Sequence, residues 1–518
     1  MARLTSFSKL LITIAILAGA YFGFTLVTNN MGENGNSNSN SGQTDTRYNN
    51  NTSGSANSYD VIRVGVVTWG GYAGGQYFNR GFKPSAESMY RKEYGIDVEF
   101  VLNDDVVSSL NAFKNGDIDV HWYTIDAFPT ILPDLQDFDP VVLYQADWSR
   151  GGDAVVVRRG INSVADLRGK SVAVGELTPS HTFLLYLLEA GGLTADDVDL
   201  KFYPSAVESA QAFKTGVVDA AVVWSPDDEL SVRAVPGAKV LESTKTATNI
   251  IADIFFAKRE YVENNREALQ ALYEGWMRGA AEINNNSSAR QEAAQILARE
   301  MDLSPADADA MMGNVRLTTH GDNQDFFGFN ATYRGITGEE LYNRMARDYQ
   351  SLGYIDQAGV DGFRQISYGR FVNSSRLSGP EHGAEGQATF EEISQTEGEA
   401  AEAIAVRQVS VNFGSGSSTL DDRAKNIIDE EMVPIARAFA GSRIRVEGNT
   451  YNTGSRATNV DLSRRRAQSV VAYLVREYNF DPNRFVVVGN GPDNPVANNS
   501  SAGGRAANRR TDFALIRE

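Results

Sequence analysis

The sequence predicts an α/β protein built from two similar lobes, with a smaller module after them. Three observations carry that reading. First, apolar strands alternate with helices through the long middle segment. VIRVGVV (61–67) ends in TWGGY, IDVEFVL (96–102) is a second strand, and DVVSSLNAF (105–113) has helical spacing and stops at Gly116. Such alternation favours parallel sheets. Second, AFKNGDID (112–119) and AFKTGVVD (212–219) share Ala-Phe-Lys-x-Gly-x-x-Asp at a separation of 100 residues. Each leads through an apolar strand to a tryptophan, Trp122 or Trp224, as expected of two related lobes that each present an aromatic at a strand end, where open α/β sheets bind ligands. Third, two polar stretches divide the chain. Residues 29–58 are almost entirely Asn, Gly, Ser and Thr and read as a flexible tether, and residues 374–405 are rich in Glu, Gly, Ala and Ser and read as a linker with a short helix near its end.

The 518 residues are too many for one core, so several domains are expected. The boundaries read as an N-terminal segment 1–28, the tether 29–58, a two-lobed domain 59–373 with its second lobe at about 154–248, the linker 374–405 and a terminal module 406–518. Arg3 and Lys9 precede an apolar run at 10–27, and Ala18-Gly19-Ala20 resembles a signal-peptidase site. The run continues through Tyr21-Phe22-Gly23-Phe24 and approaches the ~20 residues that span a bilayer. It is therefore expected to be an uncleaved transmembrane helix, a signal anchor, that places the remainder outside the cytoplasm; a cleaved signal peptide is the alternative.

The absence of cysteine excludes disulfides, thiol nucleophiles and thiolate metal sites. The four histidines, His121, His181, His320 and His382, do not have metal-ligand spacing, so no metal and no cofactor is expected. The net charge of −18 is uneven: residues 406–518 carry 16 Lys and Arg against 12 Asp and Glu, a balance of +4 that leaves −22 for the rest. A basic module on an acidic body suggests an anionic partner for that module alone. With no recognition-helix or RNA-binding signature, nucleic acid is not expected. No catalytic triad, phosphate loop or metal constellation appears, which argues against an enzyme.

Residues 61–372 resemble the periplasmic solute-binding proteins of ABC importers, in the branch that serves nitrate, sulfonates, taurine and thiamine precursors. The resemblance lies in VGVVTWGGY, NGDIDVHWYTIDAFP, DWSRGGDAVVVRRG, INSVADLRGKSVAVGELTPSHTFLLYLLEAGGL, KTGVVDAAVVWSPD and DIFFAKREYVENN, in that order. It implies the type II two-lobed periplasmic-binding-protein fold, closing on a small solute. The candidate ligand residues are Thr68, Trp69, Gly70, Trp122, Tyr123, Asp126, Ser149, Asp153, Thr178, Ser180, His181, Thr182, Trp224, Asp227 and Asp253. Pro179 and Ser180 open a helix whose free N–H groups at 180–182 could hold an anion, unless Ser180 only caps its own helix. Asp126, Asp227 and Asp253, with four tryptophans including Trp148, fit a neutral or cationic amine equally well. Both ligand classes stay open from the sequence.

From residue 406 the chain resembles the OmpA C-terminal domain, a small α+β fold that binds peptidoglycan in Gram-negative envelopes. The resemblance rests on VSVNFGSGSSTLDDRAKNIIDEEMVPIARAF, RIRVEGNTYNTGS, NVDLSRRRAQSVVAYL and GRAANRRTDFAL. In that family a loop aspartate and a helix arginine 15 residues later hold the ammonium and carboxylate of diaminopimelate. The arginine is Arg466 here, but tyrosine, Tyr451, stands where the aspartate is expected. Asn459, Leu462, Ser463, Arg505, Asn508 and Arg510 match the family pattern. Together these resemblances imply a single-pass inner-membrane protein of the periplasm that binds a solute for ABC-type import and attaches to peptidoglycan. An importer permease is the implied further partner. A structural membrane-to-wall tether, or a ligand sensor without transport, is the alternative.

Overall fold

The computed structural model describes residues 61–356, 362–411, 413–414 and 416–517. The expected transmembrane helix and tether lie outside these residues. Among the described residues, no helix is long and apolar enough to cross a membrane.

Three sheets organise the chain. The first contains β1 (Ile62–Val66), β2 (Val98–Leu102), β3 (Val120–Thr124), β4 (Pro140–Ser149), β10 (Ala252–Lys258) and β11 (Val315–Leu317), in the order β11-β4-β10-β3-β1-β2. The second contains β5 (Asp153–Val157), β6 (Ser171–Gly175), β7 (Asp199–Tyr203), β8 (Ala220–Trp224) and β9 (Lys239–Ser243), in the order β7-β6-β8-β5-β9. In each sheet, parallel strands from βα units meet antiparallel strands that belong to the crossings between lobes. The chain passes from the first sheet to the second between β4 and β5 and returns between β9 and β10. This is the two-lobed α/β architecture expected from the strand and helix alternation.

The repeated octapeptide is a structural unit. Phe113 and Phe213 are fully buried, and Gly116 and Gly216 end their helices at φ 84° and 87°, a conformation that favours glycine. The closing aspartates each accept a hydrogen bond from the backbone N–H of the neighbouring strand, Asp119 from Arg63 at 2.9 Å and Asp219 from Ser171 at 3.0 Å. One motif therefore fixes the same helix-to-strand junction in both lobes.

The third sheet contains β12 (Ala403–Val409), β13 (Arg443–Asn449), β14 (Phe485–Gly491) and β15 (Thr511–Ile516), in the order β12-β15-β13-β14. The helix Arg456–Tyr478 lies across β13 and β14. It comes so close that a Cβ at Gly489 would stand 2.6 Å from the Val460 carbonyl oxygen. β12 begins at Ala403, inside the stretch read as linker, and a short helix covers Gln395–Ala400.

In the first lobe, Trp276 on the helix Arg266–Asn285 is fully buried among Phe255, Tyr144 and Phe100, at ring separations of 4.6, 5.4 and 5.8 Å. It also abuts Tyr72 at 6.5 Å. Trp276→Ala is expected to destabilise the protein by about 3–5 kcal/mol, read as a lower urea midpoint. A loss under about 1 kcal/mol would show that the surrounding rings collapse into the gap.

Candidate functional site

Four buried carboxylates, Asp126, Asp147, Asp153 and Asp253, stand close enough to feel one another's charge where the chain passes between the two lobes. Asp253 on β10 lies opposite Asp147 on β4 and Thr124 on β3, so two acids stand side by side on neighbouring strands. Tyr72 Oη donates to Asp253 Oδ2 at 2.6 Å, and Trp69 Nε1 donates to Asp147 Oδ2 at 2.9 Å. Both approaches depend on missing side chains: a Cβ at Gly71 would overlap the Asp147 carboxylate, and one at Gly152 would overlap the Trp69 ring. From the second lobe, Ser180 Oγ donates to Asp153 Oδ1 and accepts from Trp224 Nε1, each at 2.9 Å. Ser149 Oγ lies 3.5 Å from Asp153 Oδ2 and 3.0 Å from Thr244 Oγ1. Asn314 Nδ2, next to β11, reaches across to Ser225 Oγ at 3.1 Å and ties the lobes together.

Asp126, Asp147, Asp153 and Asp253 are all buried, and none forms an ion pair among the described residues. Burial penalises the charged form and drives all four upward. Asp153 is pushed up to about 6, with the hydrogen bonds from Ser180, Trp224 and Ser149 opposing the rise. At Asp147 the charge of Asp253 adds to burial, while the Tyr72 hydroxyl restrains Asp253. Asp126 is driven up most plainly by burial, despite the Thr182 and Thr124 hydroxyls beside it. Several polar atoms in this group find no protein partner at hydrogen-bonding geometry: both Asp126 oxygens, Asp147 Oδ1, Thr124 Oγ1 and Trp122 Nε1. Buried polar atoms are seldom left so, and here a donor-rich ligand could satisfy the acceptors. The aromatic wall is Trp69, Tyr72 and Trp122, the last two 6.1 Å apart.

The C-terminal module has a small pocket of about 30 Å3 bounded by Phe413, Asn449, Arg466, Arg509 and Arg510. Arg466 Nε donates to the Ser417 carbonyl at 2.9 Å and Nη2 to the Gly414 carbonyl at 3.2 Å, with the guanidinium 5.0 Å from the Phe413 ring. Arg509 lies 5.4 Å from the Tyr451 ring. Burial, followed by the charge of Arg509, lowers the pKa of Arg466. Among the described residues Arg466 and Arg509 have no carboxylate partner, whereas Arg510 is committed to Asp512 at 2.8 and 2.9 Å.

Residues 86–289 match the NMT1/THI5-like family model, and residues 412–509 match the OmpA family model. The chain joins an NMT1/THI5-like domain to an OmpA-family domain. Outer membrane protein A of Bordetella avium is 41% identical over 104 residues, which are 20% of this chain and 53% of that protein. The taurine-binding periplasmic protein of Escherichia coli is 26% identical over 192 residues, 36% of this chain and 58% of its own length. The chain thus spans just over half the length of each. The crystal structure of the aliphatic sulphonate binding protein SsuA from Escherichia coli aligns with 61% of this chain and 100% of its own, at 20% identity and a TM-score of 0.47.

In the NMT1/THI5-like domain and the strands around it, the structure gathers Trp69, Trp122, Asp126, Ser149, Asp153, Ser180, Thr182, Trp224 and Asp253 about the cleft. It places other expected residues elsewhere. Tyr123 alternates to the opposite face of β3 and meets Phe128. His181 turns to Phe202, Tyr349 and Tyr354. Asp227 pairs with Lys214 at 2.8 Å, Thr68 bonds Asp104, and the Thr178 hydroxyl bonds the Gly175 carbonyl. Gly70 sits tight against the Met311 backbone. Trp148 points away from Asp147, into a separate cavity of about 310 Å3 beside Arg150 and Lys245. The amides expected to be free at the start of the helix Pro179–Ala190 are largely used: His181 and Thr182 N–H donate to the Thr178 carbonyl at 2.9 and 3.2 Å. Ser180 is not a cap, since its hydroxyl serves Asp153.

In the OmpA-family domain, Asn459 holds the Thr453 carbonyl at 2.9 Å, and Ser463 accepts from Gly491 N–H at 2.9 Å. Asn508 clamps residues 496–499, and Arg505 bonds the Asn499 and Ser500 carbonyls. Leu462 is half-buried. These residues shape the loops around the pocket, while Arg466 lines it and Tyr451 meets it only through Arg509. Sequence reading missed Tyr72, Asp147, Thr244 and Arg509. Asp147, six residues before Asp153, and Tyr72, three residues after Trp69, lie in stretches that hold candidates of their own; Thr244 carries no local signal.

A raised aspartate pKa has a defined thermodynamic sign. The folded state binds more protons than the unfolded chain, so the contribution of Asp153 is full below about 3.8 and is lost as pH rises through about 6. Asp153→Asn is therefore expected to flatten the fall in melting temperature between pH 4 and pH 7. An unchanged slope in differential scanning calorimetry would mean that Asp153 titrates at its ordinary value.

Proposed function

We propose that this chain is a membrane-tethered periplasmic receptor for a small cationic or amine-bearing solute, held to the cell wall through its OmpA-family domain and serving ABC-type import. The observation that carries the ligand class is the group of four buried carboxylates with no cationic partner among the described residues. A cation in the cleft would let these acids ionise and would replace the missing ion pairs, while the rings of Trp69, Tyr72 and Trp122 offer cation–π faces. An anion would have to enter beside Asp153, at a helix end whose His181 and Thr182 amides are already occupied. Closure of the two lobes about the segments at 150–152 and 244–251 is the expected response to binding.

A thermal-shift series on the full chain tests this reading. Primary amines, quaternary ammonium compounds, guanidines and aminopyrimidines are set against nitrate, sulfonates and phosphate. A ligand at 100 times its Kd should stabilise the fold by about 2.7 kcal/mol. Stabilisation confined to the anions would overturn the proposed class. Trp224, 37% exposed at the end of β8, should contribute ~1–3 kcal/mol to affinity, so Trp224→Ala weakens binding without unfolding the lobe.

The OmpA-family pocket is proposed to hold a peptidoglycan carboxylate between Arg466 and Arg509. Tyr451 does not replace an aspartate here, because Arg509 faces its ring and leaves less room for an ammonium group. Arg466→Ala should cost ~1.5–3 kcal/mol, a tenfold or greater loss in sedimentation with purified sacculi. Tyr451→Asp should strengthen binding by restoring an acceptor for an ammonium. Retention by Arg466→Ala, or no gain from Tyr451→Asp, would refute this geometry.

A further inference from the structure

The two crossings between the lobes are bonded to the C-terminal half of the chain as well as to each other. Between themselves, Gly151 N–H donates to Thr244 Oγ1 at 2.8 Å, Thr244 N–H to the Asp153 carbonyl at 3.0 Å, and Arg150 Nε to the Thr248 carbonyl at 3.1 Å. The return crossing also reaches the OmpA-family domain. Asn249 N–H donates to the Ala438 carbonyl at 3.1 Å, Asn249 Nδ2 to the Arg437 carbonyl at 3.3 Å, and Gly441 N–H to the Thr246 carbonyl at 3.0 Å. Gly441 meets Thr246 so closely that a Cβ there would stand 3.0 Å from Thr246 Cα. The outgoing crossing is held from the linker: Arg150 Nη2 pairs with Glu385 Oε2 at 2.6 Å, and Glu385 N–H donates to Asp322 Oδ1 at 2.6 Å.

These contacts fall on the segments whose dihedral angles must change when the lobes open or close. The same domain that grips residues 246 and 249 also packs β12 against the helix Pro179–Ala190, whose Ser180 bonds Asp153 in the cleft. Any rotation of the second lobe must either carry the OmpA-family domain with it or break its contacts with the return crossing. We infer that the OmpA-family domain is a clamp on the receptor hinge, so that its docking sets the angle between the lobes and attachment at its own pocket is transmitted to the cleft. This rests on the receptor reading for its purpose, but its geometry does not depend on which solute binds. Linkage is reciprocal: a docked state that favours one lobe angle changes solute affinity, and solute changes docking by the same factor.

The chain has no cysteine, so paired labels can be introduced without background. Val107 in the first lobe and Val217 in the second are 71% and 66% exposed and suit labelling as Val107→Cys and Val217→Cys. Pulsed electron paramagnetic resonance on the full chain then reads the distance between lobes. One narrow distribution is expected for the parent. Gly441→Val, which wedges the clamp, and Glu385→Gln, which releases Arg150 without steric change, should each broaden that distribution or shift its maximum. An unchanged distribution in both variants, with circular dichroism showing them folded, would overturn the clamp. Sacculi that sediment the labelled parent without moving its distance distribution would overturn it too. Neither variant requires a solute, so failure of the receptor reading would appear in the ligand series and not here.

Discussion

Burying a carboxylate without a cation is among the costlier things a fold can do, and the cleft does it four times. The cost is limited by protonation and by hydroxyl and indole donors: Tyr72 for Asp253, Trp69 for Asp147, and Ser180 for Asp153. Much of the surrounding architecture exists to bring those donors in. Gly71 and Gly152 make room for the Trp69 arrangement, and Trp276 backs Tyr72 from the core. The helix Pro179–Ala190 opens at the height of Asp153 because its first turn must deliver Ser180.

The architecture was largely legible in the sequence, since it follows from local rules. Strand and helix alternation gave the sheets, and the repeated octapeptide gave the equivalence of the lobes through a buried phenylalanine, a left-handed glycine and an aspartate bonded to the next strand. The site was legible only in part. Asp126, Asp153, Asp253 and Trp224 stand near strand ends, where sequence reading can find them. Tyr123 and Trp148 misled because a strand alternates faces, and one residue of register moves a ring from the cleft to the far side. His181 misled because successive helix positions turn by about 100°, which carries its ring away from Ser180 and onto Phe202, Tyr349 and Tyr354. Thr244 reaches the site from a segment with no pattern of its own, and only the tertiary fold brings it there.

The OmpA-family pocket shows the effect of one substitution on its neighbours. With tyrosine at 451, Arg509 has an aromatic face to lie on, and Arg466 donates to the Gly414 and Ser417 carbonyls. The outcome is a cationic recess bounded by Arg466 and Arg509, with the Tyr451 ring against the latter. The surrounding framework of Asn459, Ser463 and Asn508 is intact, so the substitution changes what the recess prefers and not whether it forms.

Gly441 carries a consequence for modularity. Domains joined by a polar linker are commonly treated as beads that can be cut apart at the string and studied singly. Here one bead supplies hydrogen bonds to the backbone of the other where the chain crosses back between the lobes. Cutting at the linker would return the Thr246 carbonyl and Asn249 to water, and the severed receptor would have a differently sprung joint. Its affinities would belong to that fragment, and evolution could not exchange either domain without also refitting this one glycine-sized contact.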